Sequence, residues 1–197
     1  LLDEEFLSLF CSAPRGKFQL EAGVQSCNPQ TLSAVVRHTR FEKLRHNVKA
    51  LMESGNVHLH LDLIAGLPLE DYQSFAHSFD QVYEMQPHQL QLGFLKLLKG
   101  SSLWKSAEDY GLVYRDYPPY EVISTPWMSA RELLRLKGIE EVVERYYNSG
   151  RARRALSYLM GHAYASPFSC YEDLAAYCDE RGFLDRPMSA AHQIDAL

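Results

Sequence analysis

Between residues 57 and 64 the chain alternates without a break: Val57, Leu59, Leu61 and Leu63 are apolar, and His58, His60 and Asp62 stand between them. A period of two marks a β-strand. Residues 18–24 ("FQLEAGV") and 88–95 ("HQLQLGFL") have the same character. Between these runs the period changes to that of a helix. Residues 1–11 read as an amphipathic helix. Asn28 is a natural N-cap with Pro29 at the first helical position, and helical spacing carries Leu32, Val35 and Val36. After a break near Thr39 it resumes through Phe41, Leu44, Val48 and Leu51 and stops at Ser54-Gly55. Residues 70–84 are helical, with Tyr72, Phe75, Phe79, Val82 and Tyr83 on one side, and Pro87 closes the unit.

Helix and strand therefore alternate, and each strand-to-strand connection is long enough for a helical crossover, so the strands should be parallel. This predicts an α/β fold: about three rungs of a partial (β/α) TIM-type barrel over residues 1–104. A mainly helical C-terminal domain should follow over 105–197. The second part is turn-rich ("DYPPYEV", "STPWMS"), repeats no strand of the first kind, and reads as three helices. Ser129–Glu132 and Ser169–Glu172 both have capping-box spacing, and Gly182 is a helix stop. Trp127 and Tyr146 fall on a mainly apolar stripe, which predicts core positions.

A formal net charge of −5 argues against a dedicated nucleic-acid binder, since no basic surface would attract phosphates; "RARR" at 151–154 reads as a solvated helix face. Cys11, Cys27, Cys170 and Cys178 lie far apart with no CxxC, as expected of reduced thiols in a cytoplasmic protein. No apolar run approaches the length of a membrane span.

The chemistry concentrates at strand ends. A parallel strand is usually apolar on both faces, so His58, His60 and Asp62 are expected to face the lumen of the barrel. Asp62 should lie near the carboxyl end, where barrels bind ligands. The run "AGLP" after it, with Gly66 and Pro68, suits close backbone approach. Three readings are open for this row: a satisfied polar layer, a zinc site built on the two histidines, or ligand binding through Asp62. Zinc would need a third ligand from elsewhere. Gln25 ends the preceding strand in the same way, and Arg37 follows twelve residues later.

"GVQSCNPQTL", "HLDLIAGLPLED" and "QLQLGFLKLLKGSSL" together resemble the later half of a radical S-adenosylmethionine (radical SAM) barrel. The branch is that of oxygen-independent coproporphyrinogen oxidases and methylthiotransferase-like proteins. The resemblance implies that Gln25 and Asp62 hydrogen-bond the ribose hydroxyls of S-adenosylmethionine and that Arg37 meets its methionyl carboxylate. Ile64 and Gly66 would lie beside the adenine. Residues 97–151 are similar to the C-terminal domain of radical SAM proteins that carry a cobalamin-binding-type domain ahead of the barrel. The implied parent is an iron–sulfur oxidoreductase-like enzyme that generates a 5′-deoxyadenosyl radical, acts on a small-molecule or unknown substrate, and in some forms uses cobalamin.

The departures matter as much. No CxxxCxxC is present, so the thiolates for a [4Fe–4S] cluster are missing, and no catalytic or metal-ligating residue is assigned. With "LLDEEFL" reading as mid-helix, the expectation is a C-terminal portion, inactive alone, whose natural partner is the upstream half of its own barrel. The alternatives are a non-catalytic binding or regulatory protein on a barrel-derived scaffold, or a metal-dependent hydrolase using His58 and His60. Placing His60, Asp62, Ile64, Leu90, Leu92 and Phe94 on an uncovered lumen leads to a further expectation, a homodimer that hides this face.

Overall fold

The computed structural model describes residues 2–184 and Gln193. Helix α1 (Glu4–Ser12) leads into strand β1 (Phe18–Gln25), then α2 (Pro29–Ala34) and α3 (Phe41–Ser54). Strand β2 (Val57–Ala65), helix α4 (Tyr72–Glu84) and strand β3 (Gln89–Phe94) follow. The three strands form one parallel sheet in the order β1-β2-β3. The local signals act as their chemistry requires. Asn28 caps α2 by accepting from the Gln30 and Thr31 amides, and Asp71 caps α4 by accepting from the Ser74 amide. Gly55 ends α3 in the left-handed conformation at φ 64°.

Val57, Leu59, Leu61 and Leu63 of β2 are buried among the core, beneath α3 and α4. His58, His60, Asp62 and Ile64 occupy the other face, as the alternation predicts. In β3 the phase is opposite to the expectation. Leu90 pairs with Leu61 and Leu92 with Leu63 in the sheet register, so Leu90, Leu92 and Phe94 share the helix-covered side. Gln89 and Gln91 align with His60 and Asp62 instead. The open face is consequently polar: Gln19, Glu21 and Gly23 of β1 align with His58, His60 and Asp62. The apolar lumen on which the dimer expectation rested is absent from this sheet.

The C-terminal unit comprises a short helix α5 (Ser102–Lys105), strands β4 (Val113–Tyr114) and β5 (Val122–Ser124), and helices α6 (Ala130–Val142), α7 (Arg153–His162) and α8 (Pro167–Glu180). A π-helical turn, Val143–Asn148, continues α6. Ser129 and Glu132 form the expected capping box. The second box does not form: Ser166 caps α8, Ser169 lies inside the helix, and Glu172 accepts instead from the Tyr72 hydroxyl at 2.6 Å. Tyr146 is buried and Gly182 follows the end of α8 at φ 63°.

This unit is built against the barrel strands. Past β3 the chain bonds to the β5 segment, with Val122 N–H on the Leu95 carbonyl and Leu97 N–H on the Tyr120 carbonyl, both at 2.9 Å. The π-turn brings Asn148 to the outer edge of β3, where its side-chain amide accepts from Leu90 N–H at 2.9 Å and donates to Leu90 C=O at 3.1 Å. It stands where a neighbouring strand would pair, and so blunts an edge that otherwise invites association. Asn148→Ala should cost about 1–3 kcal/mol, the penalty of stranding these groups. Urea unfolding measures it, and a loss below about 0.5 kcal/mol would mean that water replaces the bonds.

Candidate functional site

The site forms where β1 and β2 end. Gly23 lies opposite Asp62, and the register slips between Gly23 and Gln25, so Val24 forms a bulge and drops into the core at 1% exposed. The slip re-aims Gln25, which takes a left-handed backbone at φ 71°. Bulges of this kind redirect a side chain at a strand end. The Gln25 amide folds back over Gly23, and a Cβ at residue 23 would collide with it. Arg37 reaches the same point from beyond α2, donating from Nη1 to the Gly23 carbonyl at 2.6 Å. Gln25, Arg37 and Asp62 therefore converge on one glycine. Ile64 lies next along the same face of β2.

Gly66 does not join them. It turns at φ +84°, and a Cβ there would meet Leu133, Val122 and Leu95 at 3.5–3.8 Å. It allows α6 and β5 to approach the turn after β2 and is enclosed by them.

Asp62 Oδ1 is buried with no N–H or O–H donor among the described residues, and the Glu21 carboxyl lies close enough to share a proton with the Asp62 side chain. The Asp62 pKa is pushed up to about 6, first by burial and then by Glu21 beside it on β1. Glu21 is a site residue that sequence reasoning missed. Its signal was its position two residues before Gly23, but only the strand pairing sets it opposite His60 and diagonal to Asp62, close enough to interact. A cavity of about 770 Å³ runs along the free edge of β1, between Leu2 and Phe6 near α1 and Leu44 and Val48 of α3, with Glu21, Gly23 and Arg37 on its wall. Its size is in the range of small-molecule sites.

The histidines lie toward the other end of the strands. His58 Nδ1 and His60 Nε2 are 3.0 Å apart, and His58 packs on His88 at 4.7 Å between ring centroids. His88 Nδ1 accepts from Leu59 N–H at 3.1 Å. Burial lowers the pKa of His60 and of His88, with His58 adding to the effect. These rings bond to one another and to backbone, and among the described residues no three His, Cys, Asp or Glu side chains gather as a metal site. The polar-layer reading fits them.

Beneath the site lies a second group that the sequence reading passed over. Glu70 is fully buried, and its Oε1 accepts from Ser26 Oγ at 2.5 Å and Ser78 Oγ at 3.3 Å. Burial pushes its pKa up to about 7, against the two serine bonds.

S-adenosylmethionine and an iron–sulfur cluster fare differently as ligands of this chain. The buried Asp62 oxygen, the cradle at Gly23 and the cationic Arg37 suit a ligand with hydroxyls and a carboxylate. Cys27, Cys170 and Cys178 do not suit a cluster. Burial raises the pKa of Cys27 to about 12, that of Cys170 to about 11, and that of Cys178 as well, which disfavours thiolates.

Parallel strands, crossover helices and a polar open face define a partial α/β barrel. The fold is shared with the radical SAM methyltransferase TsrM from Kitasatospora setae, solved with tryptophan and a SAM analogue, at a TM-score of 0.50 and 18% identity over 61% of this chain and 24% of that one. Coproporphyrinogen III oxidase (HemN) from Escherichia coli, a radical SAM enzyme, matches over 61% of this chain and 32% of its own, with 19% identity and a TM-score of 0.39. In sequence, the chain is 27% identical over 92 residues to the oxygen-independent coproporphyrinogen-III oxidase-like protein HemZ of Bacillus subtilis, spanning 18% of that protein. Residues 108–197 match a family described as "Protein of unknown function (DUF4080)". The fold is therefore a partial α/β barrel of the kind seen in TsrM, and the match to the family of unknown function lies in the C-terminal residues. Among the described residues no helix is long and apolar enough to cross a membrane.

Proposed function

We propose that this chain forms one wall of the S-adenosylmethionine site of a radical SAM enzyme. The observation that carries the reading is the convergence of Gln25, Arg37 and Asp62 on Gly23, from two strand ends and the loop after α2. Gln25 and Asp62 would hold the ribose hydroxyls, Asp62 as an acceptor whose buried oxygen takes no N–H or O–H donor from the described residues. Arg37 keeps nitrogens beyond Nη1 for a carboxylate, and Ile64 offers an apolar surface to the adenine. When bound beside a reduced [4Fe–4S] cluster, the cofactor would supply radical chemistry for hydrogen abstraction. Cluster ligands would have to come from outside these 197 residues, so this chain alone should release no 5′-deoxyadenosine under reducing conditions.

Calorimetry with S-adenosylmethionine tests the assignment. Gln25→Ala and Asp62→Ala should each weaken binding by about 0.5–1.5 kcal/mol, with the larger loss at the charged acceptor. Arg37→Ala should cost about 1.5–3 kcal/mol, and Lys should restore part of it because it lacks the planar fork. Unchanged affinity in all three variants would remove the reading. Full rescue by Lys would reduce Arg37 to a general positive charge.

A further inference from the structure

We infer that Glu70 is the positioning residue of this site: through Ser26 and Ser78 its carboxylate clamps the turn after β1 to the turn after β2, and so fixes Gln25 relative to Asp62. The inference rests on the cofactor reading for its consequence, and on the hydrogen bonds for its geometry.

Each serine hydroxyl has two tasks. Ser26 Oγ donates to Glu70 and accepts from Asn28 N–H at 2.9 Å. Ser78 Oγ, from α4, donates to the same carboxylate oxygen and accepts from Cys27 N–H at 2.9 Å. One buried oxygen thereby orients two hydroxyls, and the hydroxyls hold two backbone amides of the turn that follows Gln25. The Asn28 side chain adds a strut in the same direction, donating to Leu69 C=O at 3.3 Å and to Ser74 Oγ at 3.0 Å.

The clamp is needed because both turns are strained. Gln25 and Leu69 are non-glycine residues held at φ 71° and φ 64°. Such conformations persist where surrounding contacts over-determine them. Gln25 precedes Ser26 and Leu69 precedes Glu70, so the bond from Ser26 to Glu70 joins the two strained points directly. Without it, Gln25 is free to relax toward ordinary backbone and swing its amide off Gly23. The chemistry also explains the residue type: an acceptor oxygen must receive two hydroxyl protons in a fully buried place, which an amide oxygen can do and an alkyl group cannot.

The full chain and three variants test this by two readouts: S-adenosylmethionine affinity and the amide proton shifts of Cys27 and Asn28. Glu70→Leu and Ser26→Ala should each weaken binding about tenfold or more, and both amide signals should move upfield as their bonds loosen. Glu70→Gln should stay within about threefold of the unmodified chain and leave both signals in place, because its carbonyl accepts the same two bonds. Rescue by Gln separates positioning from mere bulk, and Ser26→Ala keeps the test alive if Glu70→Leu does not fold. Unmoved Cys27 and Asn28 signals in Ser26→Ala, or a Gln variant as weak as the Leu variant, would overturn the clamp. If the unmodified chain binds no S-adenosylmethionine, the cofactor reading fails, and the amide shifts still decide whether Glu70 holds the turn.

Discussion

Replacing Phe79 by Ala should destabilise the whole chain by about 3–5 kcal/mol and leave a single unfolding transition. Phe79 on α4 is fully buried, and its ring meets Tyr83 at 5.9 Å, Phe168 at 5.5 Å and Tyr171 at 5.6 Å between centroids. Two of those partners belong to α8, in the other unit. Aromatic contacts of this geometry contribute beyond the area they bury, about 0.5–1.5 kcal/mol a pair. Tyr83 extends the cluster to Tyr147 of the π-turn at 5.1 Å, and Tyr147 donates to the Pro87 carbonyl at 2.6 Å. The barrel strands and the C-terminal unit thus share one core. Tryptophan fluorescence and far-ultraviolet circular dichroism should give coincident denaturant curves, shifted together in the variant. Two separated transitions, or a loss below about 1 kcal/mol, would show two units that merely touch.

The second large effect is a fall in stability as pH rises through neutrality. Glu70 has a folded pKa of about 7 against an ordinary value of 4.5. A raised folded value means that the native state holds the proton more tightly, so the contribution is fully present below about pH 4.5 and lost as pH passes 7. The shift corresponds to about 3 kcal/mol across that window. Asp62, raised to about 6, acts with the same sign. His60 and His88 act oppositely: their folded values are lowered, so their stabilisation is lost as pH falls below the ordinary histidine range. The titratable groups facing Glu70 are Asp71, which reinforces the shift, and the Cys27 thiol, which stays neutral. Urea midpoints at pH 5.5 and 8.0 should therefore differ clearly in the native chain. In Glu70→Gln the difference should shrink to the share of Asp62 and the histidines. An equal difference in both proteins would mean that Glu70 is already ionised when folded.

Much of this protein can be read locally. The alternation from Val57 to Leu63 gives the strand and both of its faces, because side chains two apart must share a face. Asn28, Asp71 and Gly55 mark helix ends through caps that involve only neighbouring residues. Gln25, Arg37 and Asp62 could be named as one constellation by resemblance. What brought them together was a bulge at Val24 and the pairing of Gly23 with Asp62, and neither is written in a single strand.

The errors have the same origin. Leu90, Leu92 and Phe94 were placed on the lumen because "HQLQLGFL" fixes an alternation but not which face the helices will cover. That is settled by the neighbour: Leu61 and Leu63 already face the helices, and register binds Leu90 and Leu92 to the same side. Glu21 and Glu70 went unremarked because a carboxylate in a sequence carries no sign of burial. The Ser26–Glu70 pair spans 44 residues and the Asn148–Leu90 pair 58. The sequence alone determined the barrel strands and their crossover helices, their order and the residue types at the strand ends, since these follow from spacing and caps within a few turns of chain. The β4–β5 pair and the π-turn behind those strands were not legible. Tertiary structure decided the open face of β3, the glycine that gathers the site, the buried carboxylate beneath it and the amide that closes the β3 edge. Each of those depends on distant segments excluding water from the same small volume.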